Sequence, residues 1–162
     1  MTGVSEEKVR VRFTALLAGA SVGLLLGAGY FGWLSSFGSV WVGLRNALQA
    51  ITAGTVMLIV VGCGVILPVL SLARRKISES RSLFTAVSAS AIALLAVASF
   101  IAVVSGPDWY LISLGVIMGA WISCAVPAVV LARFFMRRPT STGIVLAVTG
   151  VLALAGGLTV LA

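Results

Sequence analysis

An all-α integral membrane protein, built as a five-helix transmembrane bundle, is the fold class this sequence predicts, and three observations predict it. Five apolar stretches of about 20 residues, at 13–34, 51–73, 83–104, 109–132 and 143–162, contain no charged side chain. A helix rising about 1.5 Å per residue needs roughly that many apolar residues to cross about 30 Å of hydrocarbon. Second, 60% of the residues are hydrophobic and only 9% charged, with a mean hydropathy of +1.20; a water-soluble domain needs a polar outer layer with about a quarter of its residues charged. Third, ten of the eleven basic residues fall on one side of the implied topology.

The first span, 13–34, follows Lys8, Arg10 and Arg12 and ends in Tyr30, Phe31 and Trp33. It exceeds the roughly 7–15 residues of a signal-peptide core and carries the aromatic girdle of a membrane boundary, so a retained anchor is expected. Residues 35–50 are not an ordinary polar loop. Trp33, Phe37, Trp41, Leu44 and Leu48 recur at helical spacing while Ser36, Ser39, Arg45, Asn46 and Gln49 are polar, which predicts a short helix lying in the outer interface. The competing reading is a second helix that starts near Val40 and protrudes. Trp41 and Arg45 are the natural contacts there for a partner.

The second span, 51–73, is followed by Arg74, Arg75, Lys76 and Arg81, and Ser78 to Ser82 supply hydroxyl caps for the third, 83–104. Ser105, Gly106, Pro107 and Asp108 make a tight turn into the fourth span, 109–132, with Asp108 as cap and Trp109 and Tyr110 at headgroup level. Arg133, Arg137 and Arg138 then precede Pro139 to Thr142, which offer a turn and hydroxyl caps for the fifth, 143–162. The whole of 1–162 is expected to form a single transmembrane domain.

Lys8, Arg10, Arg12, Arg74, Arg75, Lys76, Arg81, Arg133, Arg137 and Arg138 share one side; Arg45 alone takes the other. By the positive-inside rule the N-terminus is cytoplasmic and the C-terminus emerges outside. The formal charge of +7 is therefore topological, and anionic lipid headgroups, met by Arg74, Arg75, Lys76, Arg133, Arg137 and Arg138, are its expected partners. Nucleic acid is not.

Pro68, Leu72, Ala73 and Arg74 echo Pro127, Leu131, Ala132 and Arg133, each P-x-x-x-L-A-R preceded by a cysteine, Cys63 or Cys124. The echo fits a parallel repeat of two helical hairpins; coincidence among Leu- and Ala-rich helices explains it as well. Either way each proline removes a backbone hydrogen bond and tends to kink its helix.

Small residues give the packing signal. Ala15, Gly19, Gly23 and Gly27 stand at every fourth position of the first span, and Gly115, Gly119 and Ser123 do so in the fourth. Such GxxxG-type stripes let helix backbones approach closely in lipid.

Groups that usually carry chemistry are scarce. There is no histidine, and the only acids, Glu6, Glu7, Glu79 and Asp108, lie outside the spans. No intramembrane carboxylate is available to carry a proton or cation, and the usual base of a nucleophilic serine is missing. No phosphate loop or zinc signature is present. Cys63 and Cys124 read as small buried hydrophobes sooner than as a redox or soft-metal pair. Hydroxyls such as Ser21, Thr52, Thr55, Ser88, Ser90, Ser99 and Thr149 can bond carbonyls of their own helices.

The expectation is a noncatalytic accessory or structural subunit of a larger membrane complex, with no catalytic, cofactor or metal residues. Other membrane subunits and lipids are its partners, and a homo-oligomer is compatible with the stripes. The alternative is a small homo-oligomeric channel or carrier. Compact loops and the sharp charge asymmetry point to the plasma membrane of a bacterium or archaeon.

Overall fold

The computed structural model describes residues 3–73, 79–105 and 108–161, with side chains over 6–72, 81–101, 103–104 and 114–160. The elements are α1 (Gly3–Leu34), α2 (Val40–Val61), a π-helical turn (Gly62–Ile66), α3 (Leu67–Ala73), α4 (Glu79–Ser105), α5 (Asp108–Arg137) and α6 (Pro139–Leu161). Because α2, the π turn and α3 run on without a break, these make five helical rods. All five are long and apolar enough to cross a membrane. The protein is an all-helical bundle of multi-pass membrane type.

α1 is the central rod. Half of its most apolar 18-residue window is buried, against 11–28% for the other four. It packs most extensively on α5 and then on α2, while α2 also packs on α6 and α4 on α5. Small residues make this centrality feasible: Ala15, Ala18, Ala20 and Ala28 are buried, so α1 can touch several helices without large side chains holding them off.

The core gathers at the end of the bundle that holds the N-terminal half of α1. There Val9, Leu16 and Ala20 meet Leu70 of α3, Leu83, Ala86 and Val87 of α4, and Ala125, Ala128 and Ala132 of α5. A second cluster joins Ala15 and Ala18 to Phe135, with Val145 and Leu146 of α6 against it. Arg12 donates from Nη1 to Ser82 Oγ at 3.0 Å, tying α1 to the start of α4 at the same end.

The segment 35–50 differs from its expected form. No separate helix lies there: Ser35–Ser39 form a tight turn and Val40 begins a helix that continues into the second rod. The turn closes with Ser39 N–H on Ser36 O at 2.7 Å, and Asn46 Nδ2 donates to Ser35 Oγ at 3.0 Å. Phe37 (φ 38°) and Gly38 (φ 86°) take the left-handed conformation that reverses the chain. The aromatic spacing from Trp33 to Trp41 was therefore not one helical face. Trp33 ends α1, Phe37 sits in the turn and Trp41 opens α2, all three strongly exposed.

Pro139 is the first residue of α6, where its missing N–H costs nothing. The Thr142 hydroxyl does not cap the N–H groups of α6 as expected. It donates backwards to Phe135 O at 2.9 Å and Arg138 O at 3.1 Å, satisfying carbonyls at the end of α5. The turn at Gly106 and Pro107, the cap at Ser78, and the headgroup residues Arg74, Arg75 and Lys76 lie outside the described residues, as do the side chains of Asp108, Trp109 and Tyr110.

Pro68–Ala73 and Pro127–Ala132 are both α-helical, but the backbones leading into them differ. Before Pro68 the helix widens, and Leu67 N–H bonds to Gly62 O, five residues back. That extra residue relieves the ring of Pro68 from the carbonyl it would otherwise meet. Pro127 instead stays inside an unbroken α-helix.

Candidate functional site

Pro127 has no N–H, so the carbonyl four residues earlier, that of Ser123, is left without its helical donor. Gly23 of α1 packs on that carbonyl. A Cβ built at Gly23 would strike Ser123 O, with Cys124 Cα at 3.0 Å. The glycine α-hydrogen thus faces an oxygen its own helix does not use, the geometry of a Cα–H···O contact. One turn along, a Cβ on Gly19 would stand 2.7 Å from Ala128 Cα and 2.8 Å from Pro127 O. Gly27 is looser, with Ser123 Cβ at 3.6 Å.

Gly115 and Gly119 are placed differently. Among the described residues nothing comes within 4 Å of a Cβ at either, and both are exposed. Four residues turn a helix by about 400°, so a stripe of spacing four drifts about 40° per step. From Gly115 to Ser123 the drift brings only Ser123 to the α1 crossing. Two close contacts that the stripes did not announce complete the bundle. Gly32 and Gly43 pack against each other between α1 and α2, a Cβ on either lying 2.6 Å from the other's carbonyl oxygen. Gly156 of α6 lies on Leu48 O and Thr52 Oγ1 of α2. At that crossing Thr52 Oγ1 bonds both Leu48 O (3.0 Å) and Ala153 O (2.8 Å).

At the other end Arg45 reaches Thr159 O at 3.5 Å, placing its charge at the C-terminal, negative end of α6. This gives Arg45 a role inside the chain, whereas Trp41 is exposed without such a contact. Arg138 sits over the Phe134 ring at 5.0 Å, and Arg133 and Arg137 are exposed nearby. Cys63 is exposed within the π turn while Cys124 is half-buried, and the two are not bonded. Of the hydroxyls expected to bond back to their own helices, Thr52, Ser90 and Thr149 do so, Ser90 to Val87 O (2.6 Å) and Thr149 to Val145 O (2.9 Å). Thr55 Oγ1 is buried without a partner.

Between the helices lies a cleft that the sequence did not announce. It encloses about 500 Å³ between α1, α2, α4 and α5. α1 forms its floor from Leu16 to Phe31, α2 one wall through Ala50, Ala53, Gly54 and Met57, and α4 with α5 the other through Val87, Leu94, Ala120 and Trp121. The cleft exists because α2 does not pack on α4 or α5, whereas the π turn and α3 do pack on α4 and close one end. Two of its few polar groups bond each other: Trp121 Nε1 donates to Ser90 Oγ at 2.9 Å.

Comparison with protein-family models, curated proteins and solved structures gives no match.

Proposed function

We propose that the chain is a noncatalytic subunit of a larger membrane assembly, with its N-terminus cytoplasmic and its C-terminus outside, acting through helix packing and lipid contacts. The observation that carries this reading is the outward face of α5. Gly115 and Gly119 stand one turn apart on it with open space beyond both. Inside this chain the comparable positions at Gly19, Gly23, Gly32, Gly43 and Gly156 each admit a neighbouring backbone. A glycine in a helix costs about 1 kcal/mol relative to alanine, and in lipid the return comes from a helix that docks on it. Gly143 and Gly150 of α6 are also open but stand two turns apart. Exposed Trp41 offers a second contact near the 35–39 turn.

The test is native mass spectrometry after gentle extraction, on the wild type and on Gly115→Ile/Gly119→Ile. The reading expects larger chains at fixed stoichiometry, lost in the variant while the monomer stays folded, because none of the described residues occupies that space. Recovery only as a free monomer counts against it. A homogeneous homo-oligomer favours the second reading, a small channel or carrier. The cleft and the helix break at Gly62–Ile66 favour that alternative, but no charged side chain lines the cleft to select an ion. Flux in liposomes containing this chain alone decides between them.

A further inference from the structure

We propose that the cleft between α1, α2, α4 and α5 is a binding site for one acyl chain of a bilayer phospholipid, whose headgroup stays outside it. Size selects the occupant first. The floor from Leu16 to Phe31 is about 22 Å long at 1.5 Å per residue. The cleft offers about 500 Å³, within the roughly 300–1,000 Å³ of small-molecule sites. A single hydrocarbon chain is an occupant of that length and size.

Chemistry selects next. The lining is alkyl and aromatic, and its hydroxyl and indole groups are committed. Trp121 donates to Ser90, Ser90 donates to Val87 O, and Ser123 donates to Gly119 O at 2.9 Å. The remaining polar group, the Cys124 thiol, is a weak donor. Water needs two to four polar partners and finds too few here; a quinone ring or sugar would find no reader. Left empty, the walls would lose their dispersion contacts. A saturated chain restores them.

Access completes the argument. Between α2 and the α4–α5 pair the cleft opens sideways, and the π turn and α3 close the end near Leu16. A chain therefore slides in laterally with its terminal methyl toward that closed end and its ester end near Phe31. The site is independent of whether another subunit docks on α5.

The test keeps Trp121 as the sole tryptophan (Trp33→Phe, Trp41→Phe, Trp109→Phe) in bilayers with phospholipid brominated in mid-chain. Trp121 fluorescence should fall at least twofold. Ala53→Phe and Ala120→Phe each fill the cleft from an exposed position and should remove more than half of that quenching. Native mass spectrometry should find about one phospholipid retained per wild-type chain and none in the filled variants. Equal quenching in wild type and variants, no retained lipid on the wild type, or a retained isoprenoid in place of a phospholipid each overturns the proposal. The wild-type retention measurement stands even where a filled variant fails to fold.

Discussion

Gly23 and Gly115 are the same residue type on apolar helices, and the structure gives them opposite consequences. A methyl on Gly23 has no flexible neighbour to displace, since it meets the Ser123 carbonyl itself. Gly23→Ala is expected to cost about 2–3 kcal/mol through forced separation of α1 from α5. Gly115→Ala meets open space and should be neutral or stabilise the isolated chain by up to about 1 kcal/mol. Unfolding in mixed lipid–SDS micelles reads both; equal effects would mean that the α1–α5 crossing is not where the structure puts it. Thr52→Val keeps shape while deleting the bond to Ala153 O. Interhelical bonds of this kind in a membrane average about 0.6 kcal/mol and reach about 1.7, and the same titration should find a loss in that range.

Among the helices, the π turn is where sequence and structure part most clearly. Pro68 marked a disturbance, but every residue from Val56 to Leu70 is apolar, Gly or Pro. With no polar face to mark the period, a skipped residue leaves no trace in the pattern. The turn behaves as a one-residue insertion that keeps Leu70, 1% exposed, facing the core. Deleting Gly64 together with Pro68→Ala should therefore leave α3 facing the same way and change stability by no more than about 1 kcal/mol. Deleting Val56 from regular helix rotates everything after it by about 100° and should cost more than about 3 kcal/mol, as loss of a buried leucine does. Near-equal costs for the two deletions would contradict the insertion. The interfacial helix expected at 35–50 failed for a related reason. Period-four aromatics look helical even when a turn at Phe37 and Gly38 separates them.

For the molecule as a whole, the spans were legible because bilayer thickness sets a length that composition alone can meet. Their neighbours were not. Pairing α1 with α5 depends on the drift of a small-residue stripe and on a carbonyl freed by Pro127, and small faces are interchangeable in a one-dimensional reading. The cleft was less legible still, since it arises where α2 leaves α4 and α5 unpartnered. Orientation remains a prediction from charge. With Cys63→Ala and Cys124→Ala as background, a membrane-impermeant thiol reagent should label Phe37→Cys in intact cells and Thr140→Cys only after permeabilisation. The reverse pattern would invert the topology.

The contact between Gly23 and the Ser123 carbonyl joins residues 100 positions apart. During synthesis at roughly 5–20 residues per second, α1 enters the membrane on the order of 5–20 s before the partner that buries it most. In that interval α2 can cover only one side of α1, and the Gly19–Gly23 groove stays open to any small-faced helix nearby. The groove is filled for good only when Pro127 arrives. The Ser123 carbonyl that Pro127 leaves bare acts as a latch, so timing as well as fit decides whether the first helix closes on its own chain.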